Sequence, residues 1–140
     1  MSEKHIITVS AEINAPLETV WNCWTSPEDI VKWNHASDDW HTTRSVNDLR
    51  PGGRFESRME AKDGSFGFDF SGTYTHVKLQ ERIEYTLDDD RKVTVTFAGL
   101  GSATQVVETF EAESENTVEL QEGGWQMILN NFKKYTESQL

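Results

Sequence analysis

The segment that decides the fold is Thr117–Gln139, TVELQEGGWQMILNNFKKYTESQ, near the end of the chain. Its apolar residues recur at the spacing of one helix face, and they are Val118, Trp125, Ile128, Leu129, Phe132 and Tyr135. Asn116, followed three residues later by Glu119, resembles a capping pair. The pattern predicts one long amphipathic helix, whose apolar stripe another element must cover.

The element that covers this stripe is predicted from the segment between His41 and Glu111. Five turn signals divide it, namely Pro51-Gly52-Gly53, Asp63-Gly64, Gln80-Glu81, Asp88-Asp89-Asp90 and Gly99-Leu100-Gly101. The runs between them place apolar residues on one face, as in Phe55/Ser57/Met59, Phe66/Phe68/Phe70, Ile83/Tyr85/Leu87 and Val93/Val95/Phe97. This alternation is typical of an antiparallel meander of about six strands with one face against the helix.

The N-terminal part of the chain predicts three more elements. The run from His5 to Ile13 alternates with a period of two and predicts a further strand. A short helix with Pro16 in its first turn follows, because an apolar stripe is formed by Leu17, Val20, Trp21 and Trp24. A second short helix has Ser26 as its cap, Pro27 as its first residue and Asp29 as a capping carboxylate. We predict an α+β fold of about seven antiparallel strands in a single domain spanning 1–140.

The composition narrows the class of protein. The 140 residues contain 13 Lys+Arg and 24 Asp+Glu, which gives a net charge of −11. Nucleic acid and anionic membranes are unfavourable partners for such a surface, because their phosphates require clustered cations. The longest apolar run, Met127–Leu129, is far short of the roughly 20 residues of a membrane span, and Met1–Lys4 lack the apolar stretch of a secretory signal. The single cysteine, Cys23, suits a reducing compartment, so we predict a cytoplasmic protein.

Several motifs resemble one known superfamily, in the same order along nearly the whole chain. They are Val20-Trp21-x-x-Trp24-Thr25-x-Pro27 with Trp33, Leu49-Arg50-Pro51-Gly52-Gly53-x-Phe55, Phe70-x-Gly72-x-Tyr74, Arg82-Ile83-x-Tyr85, Thr109-Phe110-Glu111 and Gly123-Gly124-Trp125. The chain resembles the START-like (SRPBCC) superfamily, and it is most similar to the branch named after the activator of heat shock protein 90 ATPase. The resemblance implies a helix-grip fold, in which a curved sheet wraps the C-terminal helix and encloses an apolar cavity. Members include lipid and hormone carriers, cyclases and chaperone activators, so the fold alone does not determine the function.

Glu108 is the best candidate for a chemically active residue. It shares a strand face with Val106 and Phe110, and if that face is the inner one, its carboxyl enters the apolar cavity. Such a carboxyl would have a raised pKa and could bind a ligand or act as an acid or base. The alternative is that Gln105, Val107 and Thr109 face inward, or that a bulge turns Glu108 outward.

Two glycines within the predicted helix also require a reason. Gly123-Gly124 costs roughly 1 kcal/mol per glycine relative to alanine. Close packing of the helix on the sheet is one cause, and room for a ligand or access to the cavity is the other. Both causes are compatible with the sequence.

Other candidate sites are weaker. The loop His35–His41 contains two imidazoles and two carboxylates, but it lacks the turn or helical register that brings metal ligands together. Pro51-Gly52-Gly53 lacks the lysine of a phosphate loop, and Cys23 lies beside an aromatic stripe, which favours a packed thiol over a nucleophile. We predict no metal site and no cofactor.

These observations favour a binding protein for a small hydrophobic or aromatic molecule that is lipid-like, flavonoid-like or polyketide-like. The predicted cavity residues are Phe55, Phe70, Tyr74, Val95, Phe97, Glu108, Gly124, Trp125, Ile128, Leu129 and Phe132, with Tyr74, His76 or Glu108 as polar anchors. One alternative is a cyclase-like or hydrolase-like enzyme with an acid or base in the cavity. Another is a chaperone-interacting stress-response module that docks through the acidic residues Glu113, Glu115 and Glu119.

Overall fold

The computed structural model describes residues 5–139. Its elements are β1 (Ile6–Ile13), α1 (Leu17–Thr25), α2 (Pro27–Trp33), β2 (Trp40–Asn47), β3 (Arg54–Ala61), β4 (Gly67–Lys78), β5 (Arg82–Leu87), β6 (Lys92–Gly99), β7 (Thr104–Glu111) and α3 (Val118–Glu137). The predicted order of elements is confirmed. Met1–Lys4, which argued above against a secretory signal, lie outside the described part of the chain.

The strands form one seven-stranded antiparallel sheet in the order β1-β7-β6-β5-β4-β3-β2. The last strand of the meander returns to pair with the first strand of the chain, and Ile13 lies opposite Thr104. The sheet curls around α3, which is the predicted helix-grip fold. All five predicted turns connect successive strands, and Gly64 and Gly101 adopt the positive φ angles of 78° and 83° that glycine tolerates without a steric cost.

A bulge in β4 changes which side chains face inward. The pairing of β4 with β5 shifts between Tyr74 and His76, so Tyr74 is buried, whereas His76 is exposed on the outer face. The prediction of His76 as a polar anchor is therefore wrong. The predicted inward row also fails at its first member, since Phe66 precedes β4 and is 64% exposed.

The helix starts differ from the predicted caps by small amounts. Thr117, not Asn116, caps α3, and its hydroxyl accepts a hydrogen bond from the Leu120 amide at 3.1 Å. Pro16 is the N-cap of α1, so it lies one residue before the first turn. In α2, Pro27 is the first residue as predicted, but Ser26 makes no side-chain cap. The Asp29 carboxylate instead accepts a hydrogen bond from the Tyr135 hydroxyl, which ties α2 to α3.

A cluster of aromatic rings in the core lies where α1 and α2 meet the second half of α3. Phe132 is fully buried and makes edge-to-face contacts with Trp24 and Trp33, at centroid distances of 4.8 and 4.9 Å. Phe97 belongs to the same cluster and makes edge-to-face contacts with Trp21 and Trp24. Over residues 5–139, no helix is both long enough and apolar enough to cross a bilayer.

Candidate functional site

A cavity of about 340 Å³ lies beside the first half of α3. Helix α3 packs mainly on β1 and on the two short helices, so its flank towards β3, β4 and β5 remains open. Eight aromatic residues of the described chain line the wall: Trp24, Trp33, Phe55, Phe68, Phe70, Tyr74, Tyr85 and Trp125. The volume and this lining are typical of a pocket for a small organic molecule.

The predicted cavity residues divide into two groups. The structure brings six of them to the wall of the cavity: Phe55, Phe70, Tyr74, Glu108, Trp125 and Ile128. Gly124 is half-buried on α3 between Gln121 and Ile128 but is not itself part of the wall. Val95, Phe97, Leu129 and Phe132 are buried in the core and do not reach the cavity surface. For Phe97 and Phe132 the physical reason is that the tryptophans of α1 and α2 pack over both rings.

Several wall residues were not predicted from the sequence. Trp24, Ile30 and Trp33 come from the two short helices, which the sequence analysis did not place at the cavity. Asn47, at the end of β2, accepts a hydrogen bond from the Tyr74 hydroxyl at 2.6 Å. Gln121 is nearly buried and bonds Glu113 and Asn116, so it closes the loop before α3. Gln121 is a polar residue on the apolar stripe of α3, and this departure from the stripe could have marked it as a wall residue.

Glu108 lies on the inner face of β7 with Val106 and Phe110, and it is 5% exposed. Its neighbours across the ladders are Val9 and Val95, which offer no polar side chain. Within residues 5–139 its carboxyl makes no hydrogen bond and no ion pair. Burial alone raises the pKa of Glu108 to about 8, so the carboxyl carries its proton at neutral pH.

Tyr85 is a titratable neighbour of this carboxyl. Desolvation and the negative charge of Glu108 both hold the pKa of Tyr85 well above its ordinary value. Its hydroxyl has no hydrogen-bond partner in the part of the chain that the structure describes. Glu108 and Tyr85 therefore offer a donor and an acceptor to an occupant of the cavity, whereas Tyr74 is already bonded to Asn47.

The two helix glycines border open space. A Cβ atom built on Gly124 meets no atom within 4 Å, and the same holds for Gly123. Close packing of the helix on the sheet is therefore not the reason for either glycine. Gly124 lies three residues after Gln121 and four before Ile128, so it shares their helix face, which borders the cavity. Gly123 is exposed.

The weaker candidate sites, the His35–His41 loop and Cys23, do not line this cavity. No group of three or more His, Cys, Asp or Glu side chains between residues 5 and 139 is arranged to hold a metal ion. Desolvation and nearby Lys62 lower the pKa of His35, the first histidine of the loop. Cys23 is buried, and burial raises the pKa of its thiol, which is the environment of a packed and unreactive cysteine.

A helix-grip sheet with an aromatic cavity beside its C-terminal helix defines the START-like class of proteins. Residues 14–137 match the family model described as "Activator of Hsp90 ATPase homolog 1-like protein". The chain therefore belongs to this family, which confirms the resemblance found in its motifs.

Solved structures agree with this assignment. The AHSA1-like protein from Aeromonas hydrophila is 49% identical, with 96% of this chain and 94% of that chain covered and a TM-score of 0.90. A protein from Cytophaga hutchinsonii is also 49% identical, with 95% and 92% covered and a TM-score of 0.81. A Nitrosomonas europaea protein at 20% identity, with 96% and 95% covered and a TM-score of 0.81, shares the fold. Among curated proteins, no significant match was found.

Proposed function

We propose that the protein binds a small, largely aromatic or apolar molecule in the cavity between α3 and the sheet. The observation that carries the proposal is an aromatic-walled cavity of about 340 Å³ into which Glu108 and Tyr85 present unbonded polar atoms. Burial of apolar ligand surface supplies roughly 25 cal/mol per Å² before the entropy cost of association. The two polar groups would orient the bound molecule.

The direct test is a ligand screen followed by NMR. Lipids, flavonoids and polyketide-like aromatics are titrated into labelled protein, and saturable shifts are expected at Phe55, Phe70, Trp125 and Ile128. The fully buried Leu129 serves as an internal reference, since it lies in the core and away from the cavity wall. A panel without a single saturable binder would overturn the proposal.

The Gly124→Leu variant is expected to lose ligand affinity without losing stability. Its side chain projects beside the cavity, so we expect at least a ten-fold weaker affinity, whereas exchange of a helix glycine stabilises α3 by roughly 0.5–1 kcal/mol. Gly123→Leu is the matched control, because Gly123 is exposed and its Cβ also meets open space. Titration of both variants with the same ligand and urea unfolding separate the two effects. Equal affinities in the two variants would contradict the assignment of Gly124 to the cavity.

A chaperone-interacting module is a second candidate, and the description of the matched family favours it. The segment before α3 and its first turn carry exposed Glu115 and Glu119 beside half-buried Glu113. We expect a heat-shock-protein-90 chaperone to bind this acidic surface, with an affinity that falls as salt rises. The check is the chaperone's ATPase rate with the wild-type protein and with a Glu115→Lys/Glu119→Lys variant. An unchanged rate and no complex would remove this candidate.

The acid–base alternative has less support from the cavity. Catalysis of this kind is favoured by two groups whose pKa values are pushed apart. Desolvation instead raises the pKa values of Tyr74, Tyr85 and Glu108 together. Of these three groups only Glu108 then titrates near neutral pH, so neither phenol pairs with it as a second acid or base.

A further inference from the structure

A continuous series of aromatic rings runs from Phe110 to Tyr85, and all of its rings except Phe110 line the cavity together with Glu108. Trp125 stacks on Phe110 with centroids 3.8 Å apart, and Phe110 lies two residues from Glu108 on the same strand face. The series continues to Phe70 at 6.1 Å and Phe55 at 5.8 Å. The series ends at Tyr85, whose ring centroid lies 4.8 Å from that of Phe55. The phenol of Tyr85 interacts electrostatically with Glu108.

This series presents negative electrostatic potential to the cavity. The faces of aromatic rings are electron-rich, and tryptophan binds cations most strongly of the aromatic side chains. Phe110 covers one face of Trp125, and Trp125 also lines the cavity. Glu108 adds a carboxyl without any hydrogen bond or ion pair in the described chain.

None of the other charged groups in the described part of the wall forms an ion pair with the Glu108 carboxyl. Arg91 reaches the cavity and its charge acts on Tyr85, but its Nε bonds Asp89 at 2.8 Å within its own turn, and burial alone shifts the pKa of Glu108. Glu113 accepts a hydrogen bond from the Asn116 amide at the rim. The strands on either side of Glu108 contribute valines, and the cavity-facing residues of α2 and α3 carry no charge. Tyr74 and Tyr85 are neutral phenols whose pKa values are raised.

We propose that the cavity selects a ligand with a positively charged ammonium group on an apolar or aromatic body, and that Glu108 is its counter-ion. The proposal rests on the proposed binding function and names the chemical class of the ligand. A carboxylate flanked by aromatic rings is the arrangement that binds ammonium groups in proteins. The net charge of −11 also favours the approach of a cation from solution.

The proposal predicts a pH-dependent preference. Since the pKa of Glu108 is about 8 in the empty cavity, binding of a cation at neutral pH must displace the carboxyl proton, whereas at pH 9 the carboxylate is already formed. Two probes of equal shape separate charge from shape: (para-hydroxymethylphenyl)trimethylammonium and para-tert-butylbenzyl alcohol. At pH 9 we expect the cation to bind about ten-fold more tightly than the alcohol, and at pH 6 we expect similar affinities.

The variant that tests the counter-ion is Glu108→Gln. It is expected to reduce the ratio of the two affinities to about one at pH 9, while Glu122→Gln, an exchange at an exposed position of α3, retains the ratio. Affinities are measured by NMR titration. Saturable binding of the alcohol with no preference for the cation would overturn the inference and leave the binding function intact, as would a preference that survives Glu108→Gln. Binding of neither probe would count against both.

Discussion

Glu108→Gln is expected to make the protein more stable than the wild type at neutral and alkaline pH. In the folded protein the pKa of Glu108 is about 8, against an ordinary value of 4.5. Between these values the folded state holds a proton that the unfolded state has released, so stability falls as pH rises. The contribution of Glu108 to the free energy of unfolding is greatest below about pH 4.5. It decreases by roughly 3 kcal/mol up to pH 7 and levels off above pH 8. Glutamine has no such transition.

The measurement is the free energy of urea unfolding for both proteins at pH 5, 7 and 9. Asp88 and Glu137 have lowered pKa values, and their contributions have the opposite sign, but both groups are present in the two proteins and cancel in the difference. Glu122→Gln controls for the loss of one negative charge from a protein of net charge −11. Parallel pH curves for the wild type and Glu108→Gln would show that the carboxyl is hydrated and not desolvated.

The strand sequence determined which residues share a face with Glu108, whereas it left open whether that face is the inner one. Alternation has a period of two, so Val106 and Phe110 determine the face of the residue between them unless a bulge intervenes. A bulge does intervene in β4, and it turns His76 to the outer face. No feature of the segment Tyr74–Val77 distinguishes this pairing shift from regular alternation, because the shift depends on the partner strand.

The sequence could not predict which inner-face residues lie in the core and which line the cavity, and the reason is a different one. Val95 and Phe97 lie on the inner face, as their alternation predicts. Which part of that face is filled depends on where α1 and α2 cross the sheet, which is a property of tertiary packing. Trp24 takes part in both regions, since it contacts Phe132 and also lines the cavity. The N-cap of α3 could not be assigned from the sequence either, because Asn116 and Thr117 are both good cap residues.

Phe132→Ala and Phe70→Ala should separate these two regions experimentally. Phe132 is 0% exposed and packed between Trp24 and Trp33, so its truncation leaves a cavity in the core and should cost roughly 3–5 kcal/mol of unfolding free energy. Phe70 is half-buried and already borders the open cavity, where its ring contacts Phe55 and Trp125.

Truncation of Phe70 removes fewer packing contacts, so the loss of stability should be less than about half of that for Phe132. Its loss of ligand affinity should be the larger of the two, provided that the Phe132 variant is titrated at a temperature where it remains folded. Urea unfolding and NMR titration of both variants give the two quantities. Equal losses of stability would mean that the Phe70 end of the sheet is packed as tightly as the core, and an aromatic ligand would then have to displace side chains to enter. The opposite order of affinities would place the binding site beside α1 and α2, in the region that this structure fills with tryptophan.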